Sequence, residues 1–188
     1  MSVSYSFIEL LNKERFKKAD YEPEKWALFI GLNIDGMNDL AIDGGESPSD
    51  FHVTLCYGYF TPRSDEDDAI CRVQNAIESI KDDIPDELWF DAIRRFDATE
   101  NSDGKDVIYA QVEKGQLEDV HEHLLTALKD NGIDLEKTFP DYNPHMTLAY
   151  IDSSKDHKLQ DISKIGTVTD ILYSIESEDY KDNRKLPF

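Results

Sequence analysis

A chain of 188 residues is long enough for one domain with a sizeable core. A hydrophobic fraction of 39%, with nine Phe, nine Tyr and two Trp, excludes general disorder. The formal net charge of −20 excludes the broad basic surface by which long nucleic acids are held, and leaves small anions with few phosphates as the ligands least opposed by the field.

Cys56 and Cys71 are too few for a disulfide scaffold and fit a reduced, cytoplasmic setting. No apolar run approaches the ~18–20 residues of a membrane span, so no membrane partner is expected. Residues 1–20 carry Phe7, Ile8, Leu10, Leu11 and Phe16 at helical spacing, with Lys13, Arg15, Lys17 and Lys18 as local basic charge. They read as an N-terminal helical extension, ahead of a single domain over 21–188.

The apolar run 26–34 (WALFIGLNI) predicts a buried strand. Residues 35–50, rich in Gly, Asp, Asn, Ser and Pro, predict a loop that is a candidate wall for a site. The loop delivers the chain to 51–57 (FHVTLCY). In an extended strand residues i and i+2 share a face, so His52, Thr54 and Cys56 lie on one side and Val53, Leu55 and Tyr57 on the other.

Ser64-x-x-Asp67 resembles a capping box, and Ala69, Ile70, Val73, Ala76, Ile77 and Ile80 give a helix over 65–81. Residues 88–99 and 107–112 predict two strands joined around Asn101-Ser102-Asp103-Gly104. Leu117, Val120, Leu124 and Leu128 predict a second amphipathic helix over 116–130, on which His121 and His123 read as surface residues. A loop with Phe139 and Tyr142 leads into 144–151 (PHMTLAYI), where His145, Thr147 and Ala149 repeat the first arrangement against Met146, Leu148 and Tyr150. A strand over 168–175 and a polar tail over 179–188 close the chain.

Two imidazoles and two hydroxyls would converge if the strands 51–57 and 144–151 are neighbours. One neutral and one protonated His can act as general base and general acid, and two Thr hydroxyls can hold the oxygens of a phosphate. His52 and His145 as lone zinc ligands are the weaker reading, because the further Cys or carboxylate ligands at short spacing are missing.

The elements His52-Val53-Thr54-Leu55 and His145-Met146-Thr147-Leu148 resemble the two motifs of the 2H phosphoesterase superfamily, which includes the LigT-like 2′-5′ RNA ligase proteins. The flanks Gly44-Gly45-Glu46-Ser47-Pro48 and Tyr57-Gly58 look like those of its phage-associated members. The resemblance covers residues 25–152. It implies an α+β, bilobal LigT-like fold, in which two pseudo-symmetric lobes share a concave antiparallel sheet with helices outside. It implies His52, His145, Thr54 and Thr147 as the catalytic set, working without metal or cofactor.

Phe139 and Tyr142 are the candidate base-stacking residues, whereas Tyr57 and Tyr150 are expected in the core. Arg63 and Lys155 are candidates to offset phosphate charge. The negative field should favour imidazolium and raise the pKa of either motif His. The expected activity is phosphodiester cleavage in a small nucleotide or short oligonucleotide, with cyclic signalling nucleotides, 2′,3′-cyclic phosphates and 2′-5′ linkages all open. A phage enzyme destroying a host antiviral signal, in the host cytoplasm, is the finer expectation; a protein that only sequesters a nucleotide is the rival. His157 is assigned no role.

Overall fold

The computed structural model describes residues 25–62, 66–137, 141–177 and 181–187. The expected N-terminal helix, Ser64, Arg63 and Phe139 lie outside them. Eight strands form one antiparallel sheet: β1 (Trp26–Asp35), β2 (His52–Phe60), β3 (Glu87–Phe96), β4 (Asp106–Val112), β5 (Glu136–Lys137), β6 (His145–Ile151), β7 (Gln160–Glu176) and β8 (Lys181–Pro187). Two helices, α1 (Glu66–Ile80) and α2 (Glu118–Asp130), pack on each other, and α2 also packs against β2.

The strand order is β1-β2-β6-β4-β3-β7-β8, and β7 turns back to pair with β1. That return is possible because β7 is 17 residues long. Its first part pairs with β3, from Gln160 opposite Ile93 to Thr167 opposite Glu87. Its second part pairs with β1, from Thr167 opposite Asp35 to Glu176 opposite Ala27. One lobe therefore holds β1, β2 and the end of β7, and the other holds β3, β4, β6 and the start of β7. This is the α+β, two-lobed arrangement expected from the sequence.

Alternation decides which face is buried. Leu28, Ile30, Leu32 and Ile34 of β1 join Val53, Leu88, Phe90, Met146 and Ile171 in the main core, together with Val73, Ile77, Leu124 and Leu128 of the helices. Phe29, on the other face of β1, packs with Tyr57 in a small separate cluster. The hairpin between β3 and β4 closes where expected, with Asp103 at φ 53° and Gly104 at φ 69°. Gly104 suits that left-handed position because it has no Cβ to clash.

Two predictions at the C-terminal end need correction. The strand expected over 168–175 begins at Gln160, since its polar first half is paired with β3 and needs no apolar run. The expected polar tail contains β8, which pairs with β7 from Glu176 opposite Lys181 to Asp170 opposite Pro187. An edge strand gains its backbone hydrogen bonds from one neighbour and exposes its side chains, so hydropathy leaves it unmarked.

Candidate active site

The two motif strands meet where the lobes join. β2 and β6 pair at Val53 opposite Met146, the central residues of the two motifs. Both of these side chains are fully buried. The antiparallel register then sets His52 across from Thr147 and Thr54 across from His145, all on the opposite face. His52 and His145 are diagonal neighbours, about 7–8 Å apart in such a ladder. All four side chains line one cavity of about 570 Å³.

Each imidazole is held in the same way. His52 Nδ1 lies 2.8 Å from the Asp50 carbonyl oxygen, and His145 Nδ1 lies 2.7 Å from the Asn143 carbonyl oxygen. A carbonyl only accepts, so each Nδ1 carries a proton and donates it. Nε2 is left as the nitrogen for proton transfer. Phe29 meets the His52 ring edge-on at 5.4 Å, while Phe96 and Tyr109, stacked at 4.0 Å, both meet His145 at 5.1 Å. Gln111 Nε2 donates to Asn143 Oδ1 at 2.9 Å and so steadies the residue that orients His145.

The imidazole pKa values move against the expectation from net charge. Burial pulls both below the ordinary 6.5, outweighing the carbonyl hydrogen bonds that act upward, and for His145 the nearby His52 adds to the fall. Desolvation at the ring therefore outweighs the distant acidic field, which solvent screens.

A matched backbone irregularity shapes the rest of the cavity. In β2, Thr54 pairs with Gly31 and Cys56 with Ile30, leaving Leu55 as an extra residue. In β6, Thr147 pairs with Tyr109 and Ala149 with Ile108, leaving Leu148 as an extra residue. A β-bulge at the Leu of each motif shifts the alternation by one. Cys56, expected beside His52, lines the same cavity but is packed with Leu55 into the main core, and Ala149, expected beside His145, is buried as well. Tyr150, expected in the core, lines the cavity, and so does Tyr57, which is also buried as expected, against Phe29.

Each bulge leaves a carbonyl to satisfy. Leu55 O accepts from His121 Nδ1 at 2.6 Å, and Leu148 O accepts from the Glu46 backbone N–H at 2.8 Å. His121 is therefore not a surface residue: it is 6% exposed and lines the cavity, stacked on Tyr142 at 4.0 Å with an interplanar angle of 2°. Its helical neighbour His123 is exposed as expected and pairs with Asp83. Tyr142 donates its hydroxyl to Thr54 O at 3.2 Å, which ties the loop before the second motif to the first motif. A heptad pattern marks His121 as near a buried stripe, but no sequence signal showed that a bulge carbonyl would need it.

Tyr142, the candidate stacking residue, lines the same cavity as the motif side chains. Lys155 does not: it sits on an exposed turn after β6 and is not among the lining residues. Loop 35–50 forms no wall of the cavity either; it braces β6 through Glu46 and orients His52 through Asp50. The described lining residues include Asp97 and Asp141 but no Lys or Arg. Among the described residues no three His, Cys, Asp or Glu side chains cluster as metal ligands would, and no helix is long and apolar enough to cross a membrane.

Two His-x-Thr strands paired across two lobes, with both imidazoles in one groove, define a 2H phosphoesterase, the class expected from the motifs. The chain belongs to the AKAP7 2'5' RNA ligase-like domain family, whose model matches residues 38–184. Among solved structures it is similar in fold to a phosphoesterase at 12% identity and TM-score 0.53, with 88% of this chain and 96% of that one covered. It is also similar to E. coli LigT at 14% and 0.52, covering 87% and 95%. TT0787 of Thermus thermophilus follows at 13% and 0.53, covering 85% and 94%. No curated protein matches the chain.

Proposed function

We propose that this protein cleaves a phosphodiester bond in a small nucleotide or short oligonucleotide, using His52 and His145 as the acid–base pair. The observation that carries this reading is the Val53–Met146 register, which sets His52, Thr54, His145 and Thr147 on one face of one cavity. One imidazole, neutral at Nε2, takes the proton of a water or ribose hydroxyl as that oxygen bonds to phosphorus. The opposite P–O bond breaks, and the leaving oxygen takes a proton from the imidazolium of the other His. Each transfer contributes ~10²–10⁴-fold.

Thr54 and Thr147 donate to the non-bridging oxygens, where a partly dry groove makes each donor worth more as charge develops. Tyr142, flattened against His121, is the stacking surface for a base. No step calls for a metal, so activity is expected to survive EDTA. The acidic chain, and a cavity whose described lining is aromatic and holds no Lys or Arg, favour a substrate with few phosphates, and a cyclic nucleotide meets that condition. LigT, whose fold is similar, has been crystallised with ATP and with phosphate. The Gly44–Pro48 flank, through its likeness to phage-associated members, supports an antiviral signal as that nucleotide.

The test is a mass-spectrometric screen of the full chain against linear and cyclic di- and trinucleotides and 2′,3′-cyclic mononucleotides, in EDTA. Turnover that vanishes in His52→Ala and His145→Ala, with binding retained, supports the reading. Binding without turnover in the wild type would identify a sequestering protein instead.

A further inference from the structure

A base on Tyr142 lies toward β2, where that tyrosine meets His121 and the Thr54 carbonyl. Toward β3 there is a second aromatic stack, Phe96 on Tyr109, and a charge that the proposed reaction leaves unused, Arg94. Strand register places them. Arg94 is opposite Tyr109 in the β3–β4 pair, and Tyr109 is opposite Thr147 in the β4–β6 pair. Directly opposed residues share a face, so Arg94, Tyr109, Thr147 and His52 form one row across β3, β4, β6 and β2. Arg94 stands two strands from Thr147, about 10 Å across the sheet. Phe96, two residues further along β3, shares that face and lines the cavity.

We infer that Arg94 anchors a second phosphate of the substrate, reached across the Phe96–Tyr109 stack from the phosphate held by Thr54 and Thr147. The substrate class is then a nucleotide whose phosphates are separated by a nucleoside, a linear or cyclic dinucleotide or longer, and not a mononucleotide with one phosphate. The guanidinium is available for this. Its side chain is 45% exposed, and it donates to Asp161 Oδ1 at 2.8 Å and to Ile93 O at 3.4 Å. Asp161 is itself 88% exposed, and an ion pair this open to solvent is weak. A phosphate offers two oxygens to the planar guanidinium fork, and an aromatic wall beside it reduces the screening that Asp161 meets in water. Arg95 does not compete for the role. It faces the other side of β3, paired with the buried Asp106 and donating to Ser153 O at 3.0 Å.

The inference rests on Thr54 and Thr147 holding the first phosphate, as proposed above, and a ratio of substrates isolates it. The probes are ApA, CpC, GpG and UpU in 3′-5′ and 2′-5′ linkage, each with and without a terminal phosphate at either end. The wild type should favour a phosphorylated form over its one-phosphate parent by about tenfold or more in kcat/KM, as a charge-assisted contact is worth. Arg94→Gln should bring that ratio close to one. Asp161→Asn, which frees the guanidinium, should raise it about two- to fivefold. Both side chains are exposed, so both variants should melt as the wild type does. A ratio near one in the wild type, a ratio that survives Arg94→Gln, or one that does not rise in Asp161→Asn overturns the inference. If the wild type cleaves none of these probes, the same ratio is taken from Kd values by calorimetry. An Arg94-dependent preference for the second phosphate would then uphold the anchor while the proposed cleavage fails, and equal affinities would overturn it.

Discussion

Gly45→Ala isolates the contact between the 44–46 loop and β6. Gly45 is not at a positive φ, so the substitution acts through space alone. The new Cβ would sit 2.4 Å from a backbone oxygen, and moving beyond 3.0 Å requires about 0.6 Å of displacement in the loop or in β6. A backbone atom cannot swing aside as a side-chain tip does. Overpacking of this kind costs ~1–3 kcal/mol, and losing the Glu46–Leu148 hydrogen bond adds about 1 kcal/mol. For a domain of this size the two amount to a fall of roughly 4–16 °C in Tm.

Thr147 and His145 lie on the displaced strand, so kcat should fall as well, by up to ~10²-fold for an ångström-scale misplacement. Thermal denaturation and steady-state kinetics on the same preparation measure both effects. Gly166→Ala is the control, because its Cβ would meet Ile34 Cγ2 at 2.5 Å, far along β7 from the motifs. It should lower Tm with kcat intact. A Gly45→Ala protein with wild-type Tm and kcat would refute the idea that this loop sets the register of β6.

Both motif imidazoles lie below 6.5, so at pH 7 the free protein holds them mostly neutral, and the form with one proton becomes scarcer as pH rises. The alkaline limb of kcat/KM should therefore fall below pH 6.5, and a rate independent of pH between 5 and 8 would reject the acid–base pair. His52→Asn should raise the His145 pKa in an NMR titration, since His52 contributes to its depression; an unchanged value would mean the rings do not sense each other. The same shifts make stability fall as pH drops from 6.5 through the lowered folded-state values, because the unfolded chain then binds more protons. Replacing either His by a non-titrating residue should flatten that limb in urea titrations. Tyr142→Phe leaves the Thr54 carbonyl without its 3.2 Å donor and should cost about 1 kcal/mol, whereas Tyr142→Ala also removes the stack on His121 and should raise KM for a nucleotide. Burial pushes the Cys56 thiol up to about 12, while Cys71 is exposed. Iodoacetamide should therefore add one label to the native protein, at Cys71; a native label on Cys56 would contradict its placement.

Alternation by itself determined that His52 and Thr54 share a face against Val53, and that His145 and Thr147 share one against Met146. Those pairs are local, and the pleat sets side-chain direction within three residues. The helices over residues 66–80 and 118–130 were legible for the same reason, since their apolar stripes repeat every turn. Tertiary structure decided whatever depends on a partner. Tyr57 and Tyr150 change face because Leu55 and Leu148 are skipped by β1 and β4, and a bulge exists only in the pairing of two strands. His121 is drawn inside by a carbonyl which that bulge frees, contributed by a strand 66 residues away in sequence. The meeting of Val53 with Met146 itself comes from a long β7 that bridges both lobes, and no periodicity within either motif encodes it.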